Sequence, residues 1–246
     1  MPYTEAQIVI LGEVHDNPNH HDRQAELVAE LQPKAIVFEM LQPSQVEVGL
    51  AVGTGDAARL EEAFGWEQAG WPDFAMYFPI FTAAPDAAWV GAALPPSQVR
   101  RSVMDGPVAV FGDEASAYGL DQPLAEDEQA EREAYQDDAH CNAMPASMMA
   151  GMVGAQRLRD ASFARSALEA LQEHGAPVVV IAGWGHAHHN WAMPRYIAAR
   201  APDVAVSAYG MVEEGYNATR DWSFDHVYVT PPTPRDDPCA AFKKQG

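Results

Sequence analysis

This chain predicts an α/β fold: a mainly parallel central sheet flanked by helices, carrying a helical insertion. Two observations point there. Short apolar runs alternate with helical stretches from the start of the chain, an order that favours parallel strands. Three of those runs also end on acid or imidazole chemistry. Gln7-Ile8-Val9-Ile10-Leu11 opens into Gly12-Glu13-Val14-His15-Asp16, and Ala35-Ile36-Val37-Phe38 ends on Glu39. Val178-Val179-Val180-Ile181-Ala182 opens into Gly183-Trp184-Gly185-His186. Open α/β sheets place ligands beyond the carboxyl ends of their strands. Glu13, His15, Glu39 and His186 are therefore expected to share one cleft.

The elements follow in order. Residues 7–11 read as a strand, and Gly12 lets the chain turn sharply at its end. Asp16-Asn17-Pro18 is helix-start chemistry, with proline in the first turn. Leu27, Val28 and Leu31 recur at helical spacing until Pro33. Residues 35–38 are the next buried strand. A helix is expected over about 43–50, and another over 57–64 with Asp56 as its cap. The loop Gly65 to Pro72 presents Trp66 and Trp71, read as exposed. Asp73 caps a helix over 74–83, and 87–93 is a third strand.

From Leu94 to about Gly154 the pattern breaks around Gly106-Pro107, Gly112-Asp113 and Gly119-Leu120-Asp121. This stretch is the expected insertion in a single domain over 1–246. It holds an acidic, solvated helix face from Glu126 to Glu133, then Met144, Met148, Met149 and Met152, read as core packing. A long helix over about 155–173 closes at Gly175. After strand 178–182, a helix runs from Pro194 to about Arg200, and strands at 204–208 and 226–229 close the sheet. The proline-rich tail from Pro231 is expected to fray.

Composition narrows the function. The chain has 246 residues and is 48% hydrophobic, enough for a sizeable core. With 35 acidic against 15 basic residues its formal charge is −20, which repels phosphate backbones and anionic membranes. Nucleic acid is thereby disfavoured as a partner. Cys141 and Cys239 show no metal-type spacing, and reduced thiols are the simpler reading. No apolar run approaches the roughly 20 residues of a membrane span. The opening Met1-Pro2-Tyr3-Thr4-Glu5 has no secretory pattern, so the expectation is a cytoplasmic chain, or a periplasmic or lipid-anchored one if a leader has been removed.

A carboxylate and an imidazole one residue apart, as in Glu13 and His15, can act as acid and base or ligate a metal. Glu39 at a buried strand end needs a partner. His15, Glu39 and His186 are the metal-ligating candidates, for a divalent ion. His20 and His21 at the first helix start, and His188 near His186, are further candidate ligands; each also reads as an ordinary polar side chain. No Gly-x-Ser-x-Gly, no phosphate-cradling Gly-x-x-x-x-Gly-Lys and no His-Glu-x-x-His occurs.

These residues resemble a known family. Leu11-Gly12-Glu13-Val14-His15-Asp16-Asn17-Pro18-Asn19-His20-His21 is similar to the opening motif of the ChaN-like haem-binding family, within the Tiki and erythromycin-esterase-like superfamily. Val37-Phe38-Glu39-Met40, Gly65-Trp66 through Trp71-Pro72-Asp73-Phe74-Ala75-Met76-Tyr77, Ala155 to Ala164, and Gly183–His186 with Met193-Pro194-Arg195-Tyr196 resemble its later motifs. The resemblance implies haem binding linked in bacteria to haem or iron uptake or handling, with a haem pair held between two subunits of a homodimer. It also implies a tyrosine ligand to iron, which Tyr77, Tyr118, Tyr135, Tyr209 or Tyr216 could supply. Arg100 and Arg101 offer cations for propionates. The alternative is a hydrolase of the erythromycin-esterase or Tiki type, acting on an ester or peptide through Glu13, His15, Glu39 and His186, with or without a divalent metal. ChaN-like proteins are often lipoproteins, and this chain carries no lipobox.

Overall fold

The apolar runs become the middle of one sheet. The computed structural model describes residues 5–215, 223–237 and 239–240. In chain order, β1 (Ile8–Glu13) leads through α1 (Pro18–Leu31) to β2 (Ala35–Phe38). Then come α2 (Pro43–Val52), α3 (Ala57–Phe64), α4 (Trp66–Ala69), α5 (Phe74–Ala83) and β3 (Ala88–Gly91). Next are α6 (Pro96–Asp105), α7 (Pro107–Phe111), α8 (Glu126–Ala139) and the long α9 (Ala146–His174). The chain returns through β4 (Val178–Gly183), α10 (Met193–Arg200), β5 (Val206–Glu213) and β6 (His226–Thr230). Among the described residues the strands form an all-parallel, six-stranded sheet in the order β3-β2-β4-β1-β5-β6.

The described chain divides into two compact units. The first takes in the residues up to Ala93 together with Phe163–Thr233, and it contains the sheet. The second takes in Leu94–Ser162 together with the described residues from Pro234 on.

Within the first unit β1, β2 and β4 are buried along their whole length. That suits strands covered on both faces, whose sequences read as continuous apolar runs. Val9, Leu11, Ile36, Phe38, Val179 and Ile181 share a core cluster with Leu27 and Val28 of α1 and with Phe74 and Phe81 of α5. Phe38 stacks on Phe81 with ring centroids 4.4 Å apart. Burying each such side chain is worth roughly 1.5–3 kcal/mol. The helix starts follow their chemistry: Asn17, Asp56 and Asp73 each accept a backbone N–H of the helix they precede.

Several expectations are corrected. Helix α9 begins at Ala146 rather than near 155 and absorbs most of the methionine stretch, with Met149 buried. Strand β5 runs to Glu213, well past residue 208. Trp66 is buried, not exposed: its indole N–H donates to the Pro72 carbonyl at 2.6 Å, which satisfies the polar edge of an otherwise apolar ring. Gly12 lies inside β1 rather than at a turn. A Cβ there would stand 2.6 Å from Ala187 Cβ and 2.8 Å from Trp184 Cα, so its role is close approach. Cys141 and Cys239 are joined in a disulfide within the second unit, not reduced. Their separation of 98 residues leaves no spacing signal to read. The tail from Pro231 falls partly outside the described residues.

Candidate functional site

Strand register sets the chemistry at one edge of the sheet. Strand β4 lies between β1 and β2, with Glu13 opposite Gly183 and Phe38 opposite Ile181. Glu13 and Glu39 thus flank the end of β4. The Glu39 N–H donates to the Ile181 carbonyl at 3.0 Å, and its Oε2 accepts the Gly183 N–H at 2.7 Å. Its other oxygen, Oε1, stands 3.4 Å from His186 Nε2. A short 3-10 turn, Trp184–His186, brings that imidazole back over the strand end, where it meets the Phe163 ring at 4.9 Å.

Glu13 is completely buried, with hydrogen-bonding partners at one oxygen and a charged neighbour at the other. Its Oε1 accepts the Tyr77 hydroxyl at 2.9 Å and faces His15 Nδ1 at 2.8 Å. Its Oε2 faces His21 Nδ1 at 3.1 Å. His15 comes from the loop after β1, and the other two partners from the faces of α1 and α5 that cover the sheet. On α1 the buried stripe of Leu27 and Val28 continues toward the N-terminus as His20, His21 and Gln24. On α5 Tyr77 occupies a buried position between Phe74 and Phe81.

Hydrogen-bond logic assigns the protons. Gln24 Nε2 donates to the Leu11 carbonyl, so Gln24 Oε1 is the atom turned to His21 Nδ1 at 3.1 Å. His21 Nε2 lies 2.9 Å from the His15 carbonyl. Every neighbour of His21 is an acceptor, so both ring nitrogens donate and the ring is an imidazolium. Burial opposes that charge, but the Glu13 carboxylate outweighs it and His21 is raised above its ordinary value. Burial likewise opposes the Glu13 carboxylate, yet His21 and His15 hold its pKa down to about 2. Burial, and then the charge of Glu13, push the Tyr77 phenol upward, so it stays a neutral donor.

His15 differs from its neighbours. Its side chain is 34% exposed, and its ring meets Trp71 edge-on at 5.1 Å. With Nδ1 held by a carboxylate, the neutral ring keeps its proton there and leaves the Nε2 lone pair open. Nε2 makes no hydrogen bond among the described residues. Gly183 makes room for it: a Cβ at that position would stand 2.8 Å from Nε2 and 3.6 Å from Glu39 Oε2. Burial lowers the His15 pKa, but the bond to Glu13 and the charges of Glu39 and Glu13 overcome it, and the net direction is upward.

The other candidates lie elsewhere. His20 is buried, with Nδ1 accepting the Val14 N–H at 2.9 Å and Nε2 facing the Thr230 hydroxyl at 2.9 Å. Both its nitrogens, like those of His21, are taken up inside the fold. His188 is buried against Trp191 and Phe224 rather than lying in a polar loop. Arg100 and Arg101 are exposed on α6 in the second unit, and Arg101 pairs with Asp105 at 3.2 Å. Tyr118 and Tyr135 also belong to the second unit, Tyr209 is buried in β5, and Tyr216 lies outside the described residues. Among the described residues no group of three or more His, Cys, Asp or Glu is arranged to hold a metal ion.

Sequence reasoning missed a second polar group beside the first. Asn17 Nδ2 donates to Glu213 Oε1 at 2.7 Å and lies 3.2 Å from the Thr230 hydroxyl, all three side chains being buried. It ties the loop after β1 to the ends of β5 and β6. The available signal was the helix-cap asparagine and the polar residues on the buried stripe of α1.

The comparisons agree with this architecture. A sequence model of the family described as haem-binding uptake, Tiki superfamily, ChaN matches residues 2–197. The chain is similar to the solved structure of ChaN of Campylobacter jejuni, described with cofacial haem binding: 18% identity, 92% of this chain, 88% of that one, TM-score 0.67. Fainter likenesses are to the erythromycin esterase EreC, at 13% identity over 86% of this chain and 71% of that one (TM-score 0.48), and to the type III effector HopBA1, at 13% over 92% and 88% (TM-score 0.45). No curated protein matches by sequence. An all-parallel sheet with paired carboxylates and imidazoles at its edge, covered by a family match of this length, places the protein: the chain belongs to the haem-binding ChaN family of the Tiki superfamily.

Proposed function

We propose that this protein binds haem, in the service of haem or iron acquisition, and that His15 is the side chain that meets the iron. The observation that carries the reading is the open Nε2 of a carboxylate-backed, partly exposed imidazole. The donor set fits the group. An imidazole whose Nδ1–H is held by a carboxylate is oriented and made more basic, the arrangement that second-shell partners give to metal-bound histidines. Trp71 supplies an aromatic wall beside it. Haem, when bound, would supply an iron that accepts an imidazole nitrogen as ligand, and His15 would hold it. Glu13, Tyr77 and His21 fix the His15 ring, and Gly183 leaves its far nitrogen uncovered. A tyrosine ligand at Tyr77 is disfavoured, because its hydroxyl is spent on Glu13 and its phenolate is suppressed.

Haemin titrated into the purified apoprotein should give a sharp, saturable Soret band. His15→Ala should shift that band and weaken binding at least about tenfold, a loss of roughly 1.4 kcal/mol. Tyr77→Phe should leave the band position unchanged. Because a proton competes for Nε2, binding should strengthen as pH rises through the raised His15 value. An unsaturable band, or a His15→Ala spectrum identical to the wild type, refutes the assignment.

The same dyad supports a second reading. A carboxylate-backed imidazole with a free nitrogen is also a general base, and the Glu39–His186 pair beside it is a candidate partner for ester or peptide hydrolysis. Hydrolysis by haem-free protein that disappears in both His15→Ala and Glu39→Gln would favour it; activity that survives both substitutions removes it.

A further inference from the structure

The disulfide of the second unit has no part in the site above, and the family match ends at residue 197, before Cys239. Cys141 lies inside the matched segment and Cys239 beyond it, so the bridge ties the two together. Cys141 sits just after α8 in an unusual turn: it and Asn142 both have left-handed backbone, at φ 60° and 53°. Consecutive non-glycine residues in that region are costly and persist where surrounding structure holds them. The local bonds there are turn bonds, from the Cys141 N–H to the Asp138 carbonyl and from the Asn142 N–H to the Asp137 carbonyl. At the other end, the Cys239 N–H donates to Asp237 Oδ1 and the Ala240 N–H to the Asp237 carbonyl, all inside the tail. The bridge joins these two turns across 98 residues, and among the described residues it leaves no free cysteine.

We propose that Cys141 and Cys239 form a thiol–disulfide exchange site, oxidised by a disulfide-bearing oxidoreductase, whose bridge straps the C-terminal segment to the helical unit. One cysteine thiolate attacks a sulfur of the donor disulfide and forms a mixed disulfide, releasing one donor thiolate. The second cysteine thiolate then attacks the mixed disulfide at the sulfur of its partner cysteine. The internal S–S bond forms, the second donor thiolate leaves, and the donor ends as a dithiol carrying the two electrons. The protein thus matures where such donors persist, in an oxidising compartment, and a reducing one releases the strap.

Full-length protein incubated with oxidised glutathione should show no titratable thiol without denaturant or with it. A non-reducing tryptic digest should contain the Cys141 and Cys239 peptides as one linked species, lost on reduction. Amide exchange over residues 139–143 and 234–237 should accelerate at least about tenfold on reduction, and the same acceleration should appear in Cys239→Ser without reductant. Circular dichroism of Cys141→Ser/Cys239→Ser shows whether the fold survives without the bridge. Two thiols still titrating after oxidation would overturn the proposal, and so would a bridge whose reduction leaves exchange unchanged in a folded protein. Haem binding is scored separately and bears on neither result.

Discussion

At the scale of single residues, the buried Glu13–His21 pair is the most consequential contact. Removing one partner of a buried ion pair costs about 3–5 kcal/mol, because the other charge is left without compensation. Glu13→Gln should therefore destabilise the protein by about 3 kcal/mol in urea unfolding, although the side chain keeps its size. The pair also shapes the pH profile. Glu13 is held below its ordinary 4.5, so its contribution is complete above 4.5 and lost as pH falls toward about 2. His21 is raised above 6.5, so its contribution is complete below 6.5 and lost as pH climbs through the raised value. Stability should peak between those limits, and Glu13→Gln should flatten both arms when unfolding is followed at about pH 3, 5.5 and 9. Gly183→Ala tests a different quantity. The new methyl would stand 2.8 Å from His15 Nε2, so it displaces the held ring and covers its open nitrogen, and haem affinity should fall by more than stability. Equal losses in both would mean that the glycine serves the backbone instead.

Among elements, the strands were legible and their ends less so. Strands β1, β2 and β4 are unbroken apolar runs, and their acidic and imidazole ends could be read directly. Strand β5 was cut short because Tyr209-Gly210 interrupts its apolar pattern, although Met211 and Val212 continue it into the core. Helix α9 was entered late because Gly151 and Gly154 lie in its first turns and read as punctuation. The site partners followed the same divide. Glu13, His15, Glu39 and His186 announce themselves at strand ends, whereas Tyr77, Gln24 and Glu213 matter only once α5, α1 and β5 are folded beside them. Asn17 joins two elements at once, capping α1 and donating to buried Glu213. Asn17→Ala should cost about 2 kcal/mol, more than the roughly 1 kcal/mol of a lost cap. A loss near 1 kcal/mol in chemical denaturation would mean that the Glu213 contact contributes nothing.

Across the whole molecule, the formal charge of −20 makes self-repulsion a general tax on the folded state. Raising salt from about 0.01 M to about 0.15 M shortens the screening length from about 30 Å to about 8 Å. A gain near 1 kcal/mol follows if repulsion between distant surface charges dominates, seen as a midpoint rise of about 2–4 °C. A fall with added salt would instead place the dominant electrostatics in attractive surface pairs. The order of strands has another consequence. The two carboxylates of the site stand at positions 13 and 39, yet the strand that separates and aligns them spans Val178–Gly183. A nascent chain emerging from the ribosome carries both acids long before it owns the backbone amide that joins them to one architecture. A competent pocket must therefore wait until β4 has been made.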